Sequence, residues 1–229
     1  MASALKLPDE LRRAVAADLS PVKPLASPSR RALAVAAWIP LAALLVLFAL
    51  GLRRDAEILG WWLTWGAMIL QSAFGLLLVG MALAAAIPGR SVSKEGAAMT
   101  LFAAALAVGN QAWLTREASA GAIVPDPWIS RGPVCFALTT LLGLSVLTII
   151  AALIFRAMPQ RAALACLLGG AGAGLMAEGV YHLHCRITDL RHVMVWHAGA
   201  IVALALVALA AGFAWERRES ARMAERLSR

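Results

Sequence analysis

The chain alternates long apolar runs with short polar, basic or proline-containing breaks. Six apolar runs span approximately residues 31–52, 59–87, 97–115, 133–157, 162–183 and 193–215. Each reaches or nearly reaches the ~20 residues that a helix needs to cross the hydrocarbon core of a bilayer. Arg53-Arg54, Pro88-Gly89-Arg90, Arg116-Glu117, Pro159-Gln160-Arg161 and Arg186-Ile187-Thr188-Asp189 separate the runs, and the longest break, 116–132, holds Pro125-Asp126-Pro127-Trp128. The pattern predicts an all-α polytopic membrane protein of six transmembrane helices, because a helix satisfies its own backbone polar groups where no water can. Trp38, Trp61, Trp62, Trp128, Trp196 and Trp215 fall near the ends of runs, where interfacial anchors sit. Gly169-Gly170-Ala171-Gly172-Ala173-Gly174 gives the fifth run a small-residue face suited to close contact within a bundle. Gln71, Asn110 and Gln111 are candidates for hydrogen bonds between helices.

Ahead of the first run lies a polar tail, residues 1–30. Pro8-Asp9-Glu10 opens a short helix well, with proline in the first turn and acids at the positive end of the dipole. Leu11, Val15 and Leu19 recur at i, i+4 and i+8, giving one narrow apolar stripe over about 8–19. Pro21, Pro24 and Pro28 keep the following stretch extended. A helix of this length has nothing of its own to pack on, so alone the tail is expected to be mostly disordered and to order on a partner. The domain reading is therefore a tail over 1–30, a six-helix domain over 31–215 and a basic tail over 216–229.

Composition strengthens the membrane reading. Hydrophobic residues make up 61% of 229 and charged residues 15%, with a mean hydropathy of +0.77. A core this small cannot hide so much apolar surface from water. The net charge of +8 does not indicate nucleic acid, since the basic residues cluster at the ends of apolar runs. Fifteen Lys and Arg fall on the side shared by both termini and six on the other, which predicts both termini in the cytoplasm. The first thirty residues show no apolar core of a cleavable signal peptide.

Chemistry concentrates in Glu178–His197, which holds all four histidines. Glu178, His182 and Cys185 share one helix face at i, i+4 and i+7, His184 points elsewhere, and His192 and His197 open the last run. A carboxylate about two turns inside the boundary needs a partner or water. With Cys185, the residues Glu178, His182, His184, His192 and His197 form a candidate set for Zn(II) or another heavy-metal ion at the outer face. Histidines that are solvated or satisfied by backbone are the plain alternative. Cys135 opens the fourth run and Cys185 closes the fifth, so both face an extracytoplasmic space where disulfides persist, and neighbouring His or Arg131 and Arg186 could activate a thiol toward oxidants. Spacing alone does not say whether the two cysteines pair. Cys166 lies nineteen residues from Cys185, roughly 28 Å along a helix, and reads as a buried apolar residue.

Asp18-Leu19-Ser20-Pro21-Val22-Lys23-Pro24-Leu25, then Pro28 and Arg30-Arg31, precede six apolar segments with Cys135, Cys185 and Trp196-His197 at set places. This arrangement resembles the NrsF-type membrane anti-sigma factors, negative regulators of sigma F. The resemblance implies a protein of the bacterial inner membrane that holds an extracytoplasmic-function sigma factor through its cytoplasmic tail and releases it under oxidant or heavy-metal stress. It implies sensing roles for Cys135 and Cys185 and assigns none to Cys166. The matching clamp would be Leu11, Arg12, Val15, Asp18, Leu19, Pro21, Val22, Pro24 and Leu25, with Arg12, Arg13 and Lys23 facing an acidic sigma surface. On that reading the protein is not an enzyme, and its partners are the sigma factor and the bilayer, with no direct nucleic-acid contact and no obligate small-molecule substrate.

Three other readings compete. A membrane thiol oxidoreductase passing electrons to quinone would need two redox pairs, and no C-x-x-C is present. A metal- or haem-binding membrane protein is compatible with one site, but all four histidines lie at one edge. A tail that merely lies on the membrane surface would need a broader apolar stripe, unbroken by proline.

Overall fold

A computed structural model of the protein describes residues 8–18, 25–119 and 131–228, apart from the side chains of Val15 and Asp18. A short helix, α1 (Asp9–Asp18), precedes six long ones: α2 (Pro28–Ala49), α3 (Ala56–Ala85), α4 (Lys94–Ser119), α5 (Gly132–Phe155), α6 (Ala162–His182) and α7 (Leu190–Leu227). Among the described residues, these six are long and apolar enough to cross a membrane.

Local chemistry sets their ends. The Ser27 hydroxyl accepts from the Arg30 amide and Pro28 occupies the first turn, so α2 starts there. A turn at Ala37 interrupts it, because Pro40 brings no N–H to the carbonyl of Ala36. The Ser93 hydroxyl caps α4 by accepting from the Gly96 amide at 3.1 Å. Pro133 sits in the first turn of α5. α7 outruns the apolar pattern: the segment read as a basic tail is helical to Leu227. Glu216 to Leu227 contains no glycine or proline, and Arg222 reaches Glu219 one turn back at 2.7 Å. Two single π-turns, Trp62–Gly66 in α3 and Val193–His197 in α7, had no counterpart in the sequence reading.

α6 is the axis of the bundle. Within its most apolar window 89% of residues are buried, against 22–44% in the other five helices. Its small residues make this possible. A Cβ at Gly170 would come within 2.7 Å of the Leu204 carbonyl oxygen of α7, and one at Gly172 within 2.6 Å of the Gly75 carbonyl oxygen of α3. α3 and α7 therefore approach α6 backbone to backbone on two sides. Leu78, Leu83, Ile150, Ile154, Leu168 and Leu204 fill the space between. The outer surface is apolar too: Leu33, Leu41, Phe48, Phe102, Leu141 and Leu206 are exposed. A surface of this kind is what helices able to cross a membrane would present to lipid.

The two ends of the bundle differ. At one, the buried Arg31 guanidinium donates to the Leu153 carbonyl and the Glu216 carboxylate accepts from the Ala163 amide at 2.9 Å. At the other, the 50–55 crossing meets the end of α6, where the Arg53 amide donates to the Leu183 carbonyl at 2.8 Å. Cys135 and the 183–189 crossing lie at this second end. Each described side chain of α1 is exposed.

Candidate functional site

Cys135 stands in the first turn of α5, its amide bonded to the Arg131 carbonyl at 3.1 Å. Cys185 follows α6 by three residues, in the crossing to α7. Their Sγ atoms lie 3.9 Å apart, both residues are buried and both thiols are free. The crossing ends at Asp189, whose carboxylate caps α7 by accepting from the amides of Arg191 at 2.8 Å and His192 at 3.4 Å. Partial burial alone would raise the Asp189 pKa, but these amides and the Arg191 guanidinium hold it below the usual carboxylate range. The cap fixes where α7 begins, and so where His192 points.

The π-turn then aligns the second histidine. In a regular α-helix residues five apart are rotated by roughly 140° about the axis. Here the Ala198 amide bonds to the Val193 carbonyl, widening the turn by one residue. His192 and His197 consequently face the same way, with ring centroids 5.3 Å apart. His192 Nε2 lies 3.8 Å from Cys185 Sγ. One donor atom from each of Cys135, Cys185, His192 and His197 lies within 4.8 Å of all the others, and all four residues are buried.

Three further residues enclose this cluster. The Tyr181 hydroxyl donates to Cys135 Sγ at 3.7 Å, and its ring packs against His197 with centroids 5.7 Å apart. Glu178 faces Nδ1 of His197 with Oε1 at 3.5 Å. Trp196 lies across Gly132, where a Cβ would come within 2.0 Å of the indole nitrogen, so a larger residue would displace the ring.

Not every candidate ligand joins the group. His182 accepts from Gln111 Nε2 at Nδ1, 2.9 Å, and donates from Nε2 to the Leu63 carbonyl at 2.8 Å. Beside it Arg53 holds Asp55 through two 2.8 Å bonds, with both side chains buried. His184 donates from Nδ1 to the Gly51 carbonyl at 3.1 Å. These two histidines thus tie the end of α6 to the chain between Gly51 and Leu63. Gln71 donates to Gln111 across α3 and α4, whereas Asn110 is exposed. A cavity of about 20 Å³, lined by Glu178, His182, Cys185, His197, Arg53 and Gln111, leaves room for about one water between the two polar groups. Cys166 is buried in the main apolar core, apart from the cluster.

On the tail, Leu11, Arg12 and Leu25 are exposed. Leu19, Pro21, Val22 and Pro24, and the side chains of Val15 and Asp18, lie outside the described residues.

The NrsF family profile, described as negative regulator of sigma F, matches residues 15–217. The chain belongs to the NrsF family. No curated protein and no solved structure matches it. NrsF membership makes the chain a negative regulator of sigma F, that is, an anti-sigma factor. The region matched to NrsF takes in part of the tail, from Val15, together with all four residues of the cluster. Sequence reasoning gave Cys135 a sensing role toward oxidants or metals but left it out of the candidate ligand set around Cys185, and it missed Tyr181. The signal for Tyr181 was present: it precedes Cys185 by four residues, one helical turn, and the Cys185 amide does bond to the Tyr181 carbonyl at 3.1 Å just past the end of α6.

Proposed function

We propose that this NrsF protein sits in the bacterial inner membrane with both termini in the cytoplasm and holds an extracytoplasmic-function sigma factor through its N-terminal arm. It releases that factor when an oxidant or a thiophilic heavy metal reacts with Cys135 and Cys185 at the outer face. The contact between the two thiols carries this reading. They come from the first turn of α5 and from the 183–189 crossing, lie 3.9 Å apart, and stand at the end of the bundle opposite Arg31, where the arm joins. Two-electron oxidation would close the Sγ–Sγ separation to about 2.05 Å, with both thiol protons leaving and the electrons passing to the oxidant. A bridging metal would instead fix the same two segments against each other close to their present separation. Either event ties the start of α5 to the 183–189 crossing.

The arm supplies the opposite function. Leu11 and Leu25 are exposed although large and apolar, and Leu11, Val15 and Leu19 repeat at helical spacing. An amphipathic segment of this kind binds an apolar groove by ordering on it. Arg12, Arg13 and Lys23 give it a basic rim suited to an acidic partner surface.

The test is a sigma-dependent transcriptional reporter in cells given Cd(II) or a thiol oxidant. The doubly substituted Cys135→Ser, Cys185→Ser chain should repress as well as the wild type, co-purify with the sigma factor and fail to induce. Unchanged induction in that variant contradicts the sensing role.

A further inference from the structure

We infer that Cys135, Cys185, His192 and His197 form a four-ligand tetrahedral site for a divalent cation of the Zn(II) or Cd(II) class, with Glu178 orienting His197. Its regulatory use rests on the function proposed above; its binding chemistry does not.

The distances match a metal polyhedron. Bond lengths of about 2.3 Å to sulfur and 2.0–2.1 Å to nitrogen give a tetrahedron with S–S edges of about 3.8 Å and S–N edges of about 3.6 Å. Cys135 and Cys185 are separated by 3.9 Å, and Cys185 Sγ and His192 Nε2 by 3.8 Å. The remaining pairs stay within 4.8 Å. A divalent ion at the centre comes within bonding range of all four donors once the longest pair, at most 4.8 Å, closes by about an ångström.

The charges also match. Two thiolates and two neutral imidazoles around a divalent cation sum to zero, the two thiol protons having left to solvent. A neutral centre avoids the heavy cost of a lone charge in this buried place. The donor set, two sulfurs and two nitrogens, selects borderline and soft cations over Mg(II) or Ca(II).

The surroundings are arranged as an outer shell. With Nδ1 facing Glu178 Oε1 at 3.5 Å, His197 is left with Nε2 as its metal-facing atom. Both ring nitrogens are buried and, among the described residues, neither has a hydrogen-bond partner, Nδ1 having the 3.5 Å approach to Glu178. A buried nitrogen in that state calls for a ligand. A carboxylate behind a ligating histidine fixes its tautomer and raises its basicity. The Tyr181 hydroxyl, donating to Cys135 Sγ, would stabilise the thiolate in the same way. The ligands belong to α5, the 183–189 crossing and α7, so a bound ion ties the start of α5 to the crossing and to the start of α7.

The test uses the full-length protein in detergent, loaded with Co(II) and then titrated with Zn(II). The expected result is one Co(II) per chain, with the intense d–d bands and thiolate charge-transfer absorption of a tetrahedral sulfur–nitrogen site, displaced by Zn(II). Because this signature is read on the wild-type chain, it does not depend on any variant folding. Cys135→Ser and Cys185→Ser should each remove the corresponding charge-transfer intensity, and His192→Gln should abolish tight binding. Glu178→Gln should weaken affinity by about 10–100-fold. His184→Gln and Cys166→Ser should bind as the wild type does. A pale octahedral spectrum, no stoichiometric Co(II), or undiminished binding after loss of both Cys135 and Cys185 overturns the site. Metal binding with no effect on the sigma factor keeps the site and removes its signalling role. Oxidant-driven release from a chain that binds no metal keeps the proposed function and overturns the site.

Discussion

Arg31, in the first turn of α2, donates a hydrogen bond to the main-chain carbonyl of Leu153, in the last turn of the helix whose first turn holds Cys135. Eighteen residues, about 27 Å of helix, separate Cys135 from Leu153. The α5 helix thus touches the thiol pair at one end and the root of the N-terminal arm at the other. Arg31 is buried, and among the described residues its Nη1 has no hydrogen-bond partner, so its guanidinium is held through Nη2 at the Leu153 carbonyl. A rigid helix that shifts at Cys135 would carry Arg31 with it.

That link can be cut without touching either end. Arg31→Gln should still bind the sigma factor, but signalling should weaken. Coupling between distant sites is typically worth about 1–3 kcal/mol, so the induction ratio is expected to fall by about fivefold or more. Sigma-dependent reporter activity, with co-purification as the binding control, measures this. Full induction in the variant would mean that the signal travels by another route.

The arm itself is addressed by Leu19→Asp, which puts a charge into the apolar stripe Leu11, Val15, Leu19. Constitutive reporter activity is expected, with loss of co-purifying sigma factor. Burying a carboxylate without a partner costs several kcal/mol, enough to remove most of the bound fraction. Persistent repression would show that the clamp lies elsewhere.

Close packing around α6 gives a stability test. A Cβ at Gly172 would meet the Gly75 carbonyl oxygen at 2.6 Å, and that neighbour is backbone. Gly172→Ala should destabilise the bundle by about 1–3 kcal/mol, seen as a lower thermal midpoint in detergent. Gly80→Ala is the control, because a Cβ there has nothing within 4 Å.

Gly132 and Trp196 form a second steric pair, this time beside the cluster. Gly132→Ala should displace the indole and shift tryptophan emission. Removing the obstacle by Trp196→Ala in the same chain should recover part of the lost stability, and purely additive effects in that cycle would contradict the contact.

The sequence carried the helices because twenty-residue apolar runs have few other uses, and basic and proline-rich breaks mark where they stop. It also carried the small-residue face of α6, since Gly169 to Gly174 can serve little else in a bundle. Where α7 ends was less visible, because charge marked the end of the apolar run and said nothing of the helix continuing past it. The cluster was only half legible. Cys185 and the two histidines of α7 lay close in sequence, but at α-helical spacing His192 and His197 point roughly 140° apart, and a π-turn leaves no periodic trace. Cys135 lies fifty residues before Cys185, and only tertiary packing brings it near. His182 and His184 looked like ligands because they stand beside Cys185 in the chain. The fold commits them instead to Gln111, Leu63 and Gly51.

The most direct measurement is sigma-factor release from the full-length protein reconstituted in vesicles with the arm outside and the cysteine face toward the lumen. Cd(II) carried into the lumen by an ionophore, or a membrane-permeant thiol oxidant, should free the sigma factor from wild-type vesicles. Vesicles carrying Cys135→Ser with Cys185→Ser should hold it throughout. Equal release from both, or no release from the wild type, would contradict the link between the thiol pair and the arm.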